Sequence, residues 1–281
     1  MSLVIVEKED RVLHITLNRA DKRNALNSEM CNMIVDAITR AQSDESVGAV
    51  LLDGRGRVFC AGMDLDEAVS PEGIERTAIH EELFSLGRKC KKPLVVCVCG
   101  PAMGGGVGLV AQAHVAIAAQ GSLFGLTEIR IGMWPFVIYR SIEATVGARR
   151  ALELSLTGRL FSTQEALTWG LIHQVAHAFE AEDRAATVAR DISRMSPAAI
   201  ALGMEYVHGS RCRTWTQAGD LAAKLRAKSM VSADLKEGVA AFHEKREPQW
   251  PSMPPAAYTS PAMPAPRHSE SDDHSRDEAP E

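Results

Sequence analysis

Two short β-rich runs, 3–8 and 11–18, are joined by the polar Glu9 and Asp10, a pattern that predicts a hairpin. Asn27 or Ser28 then stands at a helix-cap position. Met30, Met33, Ile34, Ala37, Ile38 and Ala41 follow at helical spacing to about Gln42. The continuous apolar run VGAVLLDG (47–54) ends in a turn signal and predicts a buried strand. LVVCVCG (94–100), HVAIAA (114–119) and SLFGL (122–126) predict three more. Between them, residues 73–90 carry a helical pattern that Lys91, Lys92 and Pro93 end. From about 137 onward the pattern is helical, apart from the strand-like LIHQVA (171–176). Short apolar strands alternating with helices predict an α/β fold with both sheet faces covered.

The composition changes this picture only at its margins. The chain has 281 residues, 46% hydrophobic and 24% charged, as ordinary globular domains do. A net charge of −5 gives no general grip on nucleic acid or an anionic membrane. No run approaches the roughly 18–20 apolar residues of a membrane span. The start MSLVIVEKEDR lacks the features of a cleavable leader, so the expected location is cytoplasmic. Cys31, Cys60, Cys90, Cys97, Cys99 and Cys212 include no C-x-x-C pair, and several lie in apolar runs. They are expected to be free thiols acting as small hydrophobes. His173 and His177 fall on a predicted strand, and no metal site is expected. Eight of the thirteen prolines lie in 248–281, which ends RHSESDDHSRDEAPE. Such a segment buries too little apolar surface to offset its ordering entropy, and is expected to be a disordered tail.

Two loops carry the candidate chemistry. Each follows a predicted strand and is rich in glycine and alanine, which let a ligand approach the backbone and leave N–H groups free to face it. The first runs Phe59-Cys60-Ala61-Gly62-Met63-Asp64-Leu65. The second runs Gly100-Pro101-Ala102-Met103-Gly104-Gly105-Gly106. Neither fits a nucleotide site: the Lys-Ser/Thr of a P-loop is missing, and Gly104, Gly106 and Gly108 alternate rather than follow G-x-G-x-x-G. No G-x-S-x-G nucleophile elbow is present.

Together the loops resemble the F-x-A-G-x-D-L and G-x-x-x-G-G-G segments of the crotonase (enoyl-CoA hydratase/isomerase) family. NRADKRNALN (18–27), Phe124-Gly125-Leu126-Thr127-Glu128, LTGRLFSTQEALTWGLIHQV (156–175) and DLKEGVAAFHEKREPQW (234–250) are similar to further family segments, in order, over roughly residues 10–250. The resemblance implies an α/β spiral of ββα turns over 1–190 and a helical region over 191–247 that makes trimers, often paired into hexamers. The substrate would be an acyl-coenzyme A thioester, coenzyme A entering as part of the substrate, with no permanently bound cofactor. Met63 and Gly105 would donate backbone N–H groups to the thioester oxygen. Arg23, Ala25, Ala61, Asp64 and Leu65 would meet coenzyme A, although Arg23 reads equally as a solvated surface charge. Phe242 and Lys245 would reach the cofactor of a neighbouring subunit. Met103, Gly108, Trp134, Pro135 and Phe136 would line the acyl pocket, with Trp134 and Phe136 alternatively packing the core.

The chain departs from the family pattern at one carboxylate. Hydratases carry two glutamates, one just after the glycine run and one in F-G-x-x-E. Here the first slot is Gly108 and the second is Glu128. Glu128 follows LFGL and precedes Ile129, Ile131 and Met133, so its carboxyl is expected to be partly desolvated, with a raised pKa suited to acid–base work. One carboxylate suffices to move a double bond between the 3 and 2 positions of an enoyl thioester, while hydration needs a second group from elsewhere. Both activities stay open, as does an acyl-CoA-binding protein without turnover. RNA binding through helix 28–42 is disfavoured, because Arg40 is its one basic residue.

Overall fold

The computed structural model describes residues 2–71 and 77–255. β1 (Val4–Glu9) and β2 (Val12–Leu17) form the hairpin, with Val4 opposite Leu17 and Asp10 at φ 50° in the turn. α1 (Ser28–Ser43) begins at Asn27, whose side chain accepts from the Met30 N–H at 3.0 Å. Met30, Ile34, Ile38 and Ala41 recur on one face of α1 and are buried. β3 (Ala49–Gly54) lies parallel to β2; α2 (Leu65–Ala68) and α3 (Thr77–Ser85) follow it.

The ββα turns come next. β4 (Leu94–Val98), β5 (Ala102–Met103) and α4 (Gly105–Ala111) form one; β6 (Val115–Ala119), β7 (Leu123–Gly125) and α5 (Phe136–Val146) form another. After α6 (Ala148–Thr157), β8 (Leu160–Ser162), α7 (Thr163–Thr168) and β9 (Gln174–Ala176) close the spiral. The first strand of each turn joins a six-stranded sheet ordered β1-β2-β3-β4-β6-β9. The second joins a three-stranded sheet ordered β5-β7-β8. The α/β spiral expected from the family resemblance is therefore the observed architecture.

Alternation along the large sheet fills both faces. Val50, Leu52, Val96 and Ala118 join the core on the α1 side, while Leu51, Val95, Cys97 and Ile117 face the other way. There α8 (Ala181–Ser193) packs its buried Ala181, Ala185 and Ala189 against the sheet. Small residues four apart let this helix lie close to the strands. α9 (Pro197–Ser210), α10 (Trp215–Met230) and α11 (Ala233–Glu244) complete the described helices.

Three expectations change. β8 breaks the helical pattern expected after 137: Gly158 at φ 57° ends α6 and Ser162 caps α7, leaving three extended residues to pair with β7. The core's last helix runs to Ser193, past the boundary expected at 190. The expected tail also begins in packed structure. Trp250 Nε1 donates to the Arg194 carbonyl at 2.8 Å, Ser252 Oγ donates to Asp234, and Met253 is buried. Proline-rich composition hid these anchors; the rest of the expected disordered tail, 256–281, lies outside the described residues. All six cysteines are free, and burial pushes Cys31 and Cys60 up to about 12.

Candidate active site

β3 and β4 are parallel neighbours, so the glycine-rich loops that follow them leave the sheet at the same edge. Backbone hydrogen bonds join the loops: Met103 N–H donates to the Cys60 carbonyl at 2.9 Å, and Cys60 N–H to the Pro101 carbonyl at 3.3 Å. On the other flank, Leu26 N–H donates to the Gly62 carbonyl at 2.7 Å and Asp64 N–H to the Leu26 carbonyl at 3.0 Å. Met63 is thus held opposite Leu26. Gly62 has φ 90°, and a Cβ there would stand 2.9 Å from the Met103 carbonyl and 3.2 Å from the Gly105 nitrogen. This close approach needs glycine. Gly105 opens α4, where backbone N–H groups lack helical acceptors. Among the described residues, neither the Met63 nor the Gly105 N–H has a hydrogen-bond acceptor.

Asn24 fixes the first loop from below. It is fully buried at φ 53°; its Oδ1 accepts from the Arg19 N–H at 2.9 Å, and its Nδ2 donates to the carbonyls of Arg55, Val58 and Phe59 at 2.9–3.0 Å. Alanine would leave these buried groups unpaired in a left-handed conformation that it disfavours. Asn24→Ala is expected to cost about 2–4 kcal/mol, read by urea unfolding; an unchanged midpoint would remove Asn24 as the loop's anchor.

Glu128 begins the 3-10 turn Glu128–Ile131, just after β7. β7 pairs with β5, and Gly104 N–H donates to the Gly125 carbonyl at 2.8 Å, which sets this turn beside the second loop. Gly104 has φ 49°, and a Cβ on it would lie 2.8 Å from Glu128 Oε1. Glu128 Oε2 is buried with no hydrogen-bond partner among the described residues. Burial pushes its carboxyl above the usual range, against a smaller lowering from its backbone hydrogen bond. A carboxyl raised in the folded state costs no stability below its unfolded pKa, and costs more as pH rises toward the folded one. Glu128→Gln is therefore expected to be more stable than the wild-type chain at neutral pH. The difference should vanish below about pH 4, the ordinary glutamate range. Thermal unfolding across pH checks this; a variant less stable at neutral pH contradicts it.

These groups open onto a cavity of about 620 Å³. Met63, Gly105 and Glu128 line it, as do Arg23, Ala25, Ala61, Asp64, Leu65, Pro135 and Phe136. Asp64 is largely engaged in structure. Its carboxylate accepts from Arg19 Nη1 and caps α2 at Asp66 N–H and Glu67 N–H. Burial raises this carboxyl, but the Arg19 hydrogen bond and the cap together outweigh it and hold it below the usual range.

Three expected pocket residues lie outside the lining. The Trp134 ring packs on Tyr139 at 5.9 Å, and Met103 turns its Sδ toward Gly125, 3.2 Å from where a Cβ would stand. Gly108 sits one layer back, where a Cβ would meet Ile138 Cγ2 at 2.3 Å and Phe84 Cε1 at 2.9 Å. The first-glutamate slot is filled by apolar side chains. Phe242 and Lys245 also lie outside the lining; Phe242 is 81% exposed and Lys245 caps α11 in the left-handed region. His173 Nδ1 accepts from the Ala116 N–H at 3.0 Å, and His177 stacks on Phe179. Phe84, Ile138 and His80 also line the cavity, and no motif marks them. Only the i, i+4 spacing of His80 and Phe84 hinted at a shared helix face.

A family model for enoyl-CoA hydratase/isomerase matches residues 7–253. A probable enoyl-CoA hydratase, echA8 of Mycobacterium leprae (strain TN), is 36% identical over 251 residues, spanning 88% of this chain and 97% of its own. The 1,2-epoxyphenylacetyl-CoA isomerase of Escherichia coli (strain K12) is 30% identical over 260 residues, spanning 89% and 98%. The crystal structure of an enoyl-CoA hydratase from Mycobacterium smegmatis superposes with a TM-score of 0.84 at 29% identity, covering 89% of this chain and 99% of that one.

Proposed function

The chain belongs to the enoyl-CoA hydratase/isomerase family, and from that premise we propose that its cavity binds an acyl-CoA thioester and stabilises the enolate of its acyl group. The observation that carries this reading is the pairing of the Met63 and Gly105 N–H groups, which have no acceptor among the described residues, with the buried Glu128 Oε2, which has no partner among them. Removing a proton from C2, or adding a nucleophile at C3, builds negative charge on the thioester oxygen. Two fixed donors in a site shielded from water stabilise that charge, each by roughly 3–4 kcal/mol in hydrolase sites. Glu128 stands beside the Gly105 end of the donor pair and is the group that moves a proton at C2. Burial pushes its pKa above the usual carboxylate range, the direction that suits a group giving and taking protons.

Coenzyme A would enter past Ala25, Ala61 and Leu65, with Lys22 and Arg23 offering cations at the mouth. The apolar acyl end is formed by Phe84, Met133, Pro135 and Ile138. An oligomer belongs to the proposal: α9, α10 and α11 bury few side chains within the chain, and Trp215, Val231 and Phe242 stand exposed. Assembly covers such surfaces.

The test is product analysis with 3-enoyl-CoA and 2-enoyl-CoA of matched length and with 3-methylglutaconyl-CoA, read by mass spectrometry. Double-bond migration or hydroxyacyl-CoA formation is expected. Tight binding of all three with no product would instead make this an acyl-CoA-binding protein without turnover.

A further inference from the structure

The proposed enolate site has one carboxylate, and the slot for a second is closed by Ile138 and Phe84. The other titratable side chains on the cavity wall are Lys22, Arg23, Asp64, Asp66, His80 and Glu81. Asp64 is committed to Arg19 and to the cap of α2, Asp66 accepts from Lys22 at 3.3 Å, and Glu81 is exposed. His80 remains.

His80 lies on α3, one turn before Phe84, so the two share a helix face. Phe84 Cζ is 3.1 Å from where a Cβ on Gly105 would stand, which turns that face toward the donor loops. His80 Nε2 is 3.4 Å from the Leu26 carbonyl. That carbonyl also accepts from Asp64 N–H, in the bridge that holds Met63. A carbonyl can only accept, so this contact places the imidazole proton on Nε2 and leaves a lone pair on Nδ1. Among the described residues Nδ1 has no partner. His80 meets the loops at their Leu26–Met63 end, and Glu128 meets them at Gly104.

We propose that His80 is the second proton-transfer group of this site and that the chain is thereby a hydratase. The proposal rests on the enolate reading above. Neutral His80 takes a proton from water at Nδ1 while the water oxygen bonds to C3 of a 2-enoyl thioester. The C2–C3 π pair moves to the thioester oxygen, which the Met63 and Gly105 N–H groups hold. The enolate then collapses and C2 takes the proton of the Glu128 carboxyl. One water is added; the imidazolium and carboxylate left behind are reset by proton exchange with solvent.

The experiment compares two reactions in the wild-type chain, His80→Gln, His80→Asn and Glu128→Gln. One is hydration of crotonyl-CoA. The other is exchange of the C2 hydrogens of butyryl-CoA in deuterated water, which needs Glu128 and the donors but no water addition. Both His80 variants are expected to lose hydration about 100-fold or more while exchange falls less than tenfold. Retained exchange also shows that the variant site is folded. Equal losses in both reactions, or unchanged hydration, would overturn the role of His80. No exchange in the wild-type chain would overturn the enolate reading itself, whatever the His80 variants do, and exchange that survives Glu128→Gln would assign the C2 proton to another group.

Discussion

Glu128→Gln is expected to lower turnover about 1000-fold while changing KM less than threefold, because general acid–base groups contribute roughly 10²–10⁴ to rate. The substitution keeps the shape of the side chain against Gly104 and leaves both N–H donors in place. Binding therefore persists and proton transfer at C2 is lost. Oε2 has no partner among the described residues, which leaves it available to a substrate. Steady-state kinetics on a turned-over enoyl-CoA read the result. Turnover within tenfold of wild type would assign the proton transfer elsewhere.

Gly108→Glu is expected to destabilise the chain by about 3 kcal/mol or more and to restore no second carboxylate, since overpacking a core alone costs about 1–3 kcal/mol. The Cβ alone would overlap Ile138 Cγ2 and Phe84 Cε1, and the carboxylate beyond it would be forced among buried apolar groups. Trimming Ile138 to alanine in the same chain removes the nearest obstacle. The double variant should then be more stable than the sum of the two single changes allows, by at least about 1 kcal/mol, as contacting residues couple. Urea unfolding of the three variants measures this. A Gly108→Glu chain as stable as wild type would show that the slot is open.

Gly108 also marks where reading along the chain stops. The elements were legible because apolar positions repeat at helical spacing, as in α1, or form short continuous runs, as in β4. The two loops and Glu128 were legible because each forms a compact motif. What fills the space at Gly108 comes from Phe84 and Ile138, and local spacing does not record such contacts. Asn24 reads as one more polar loop residue until its four partners, spread over Arg19 to Phe59, are in place. The family resemblance placed both Trp134 and Pro135 in the pocket, yet of the two only Pro135 faces the cavity. The chain turns there, and sequence adjacency does not carry side-chain direction around a turn. His80 went unread because its meaning depends on the Leu26 carbonyl, far away in sequence.

The central claim is that the Met63 and Gly105 N–H groups hold a thioester oxygen with Glu128 at C2. A crystal structure with a bound, unreactive 2-enoyl-CoA analogue tests it most directly. The account predicts the thioester oxygen about 3 Å from both nitrogens and a Glu128 oxygen against C2. A thioester oxygen turned away from the two loops, toward Lys22 and Arg23 at the mouth, would contradict it.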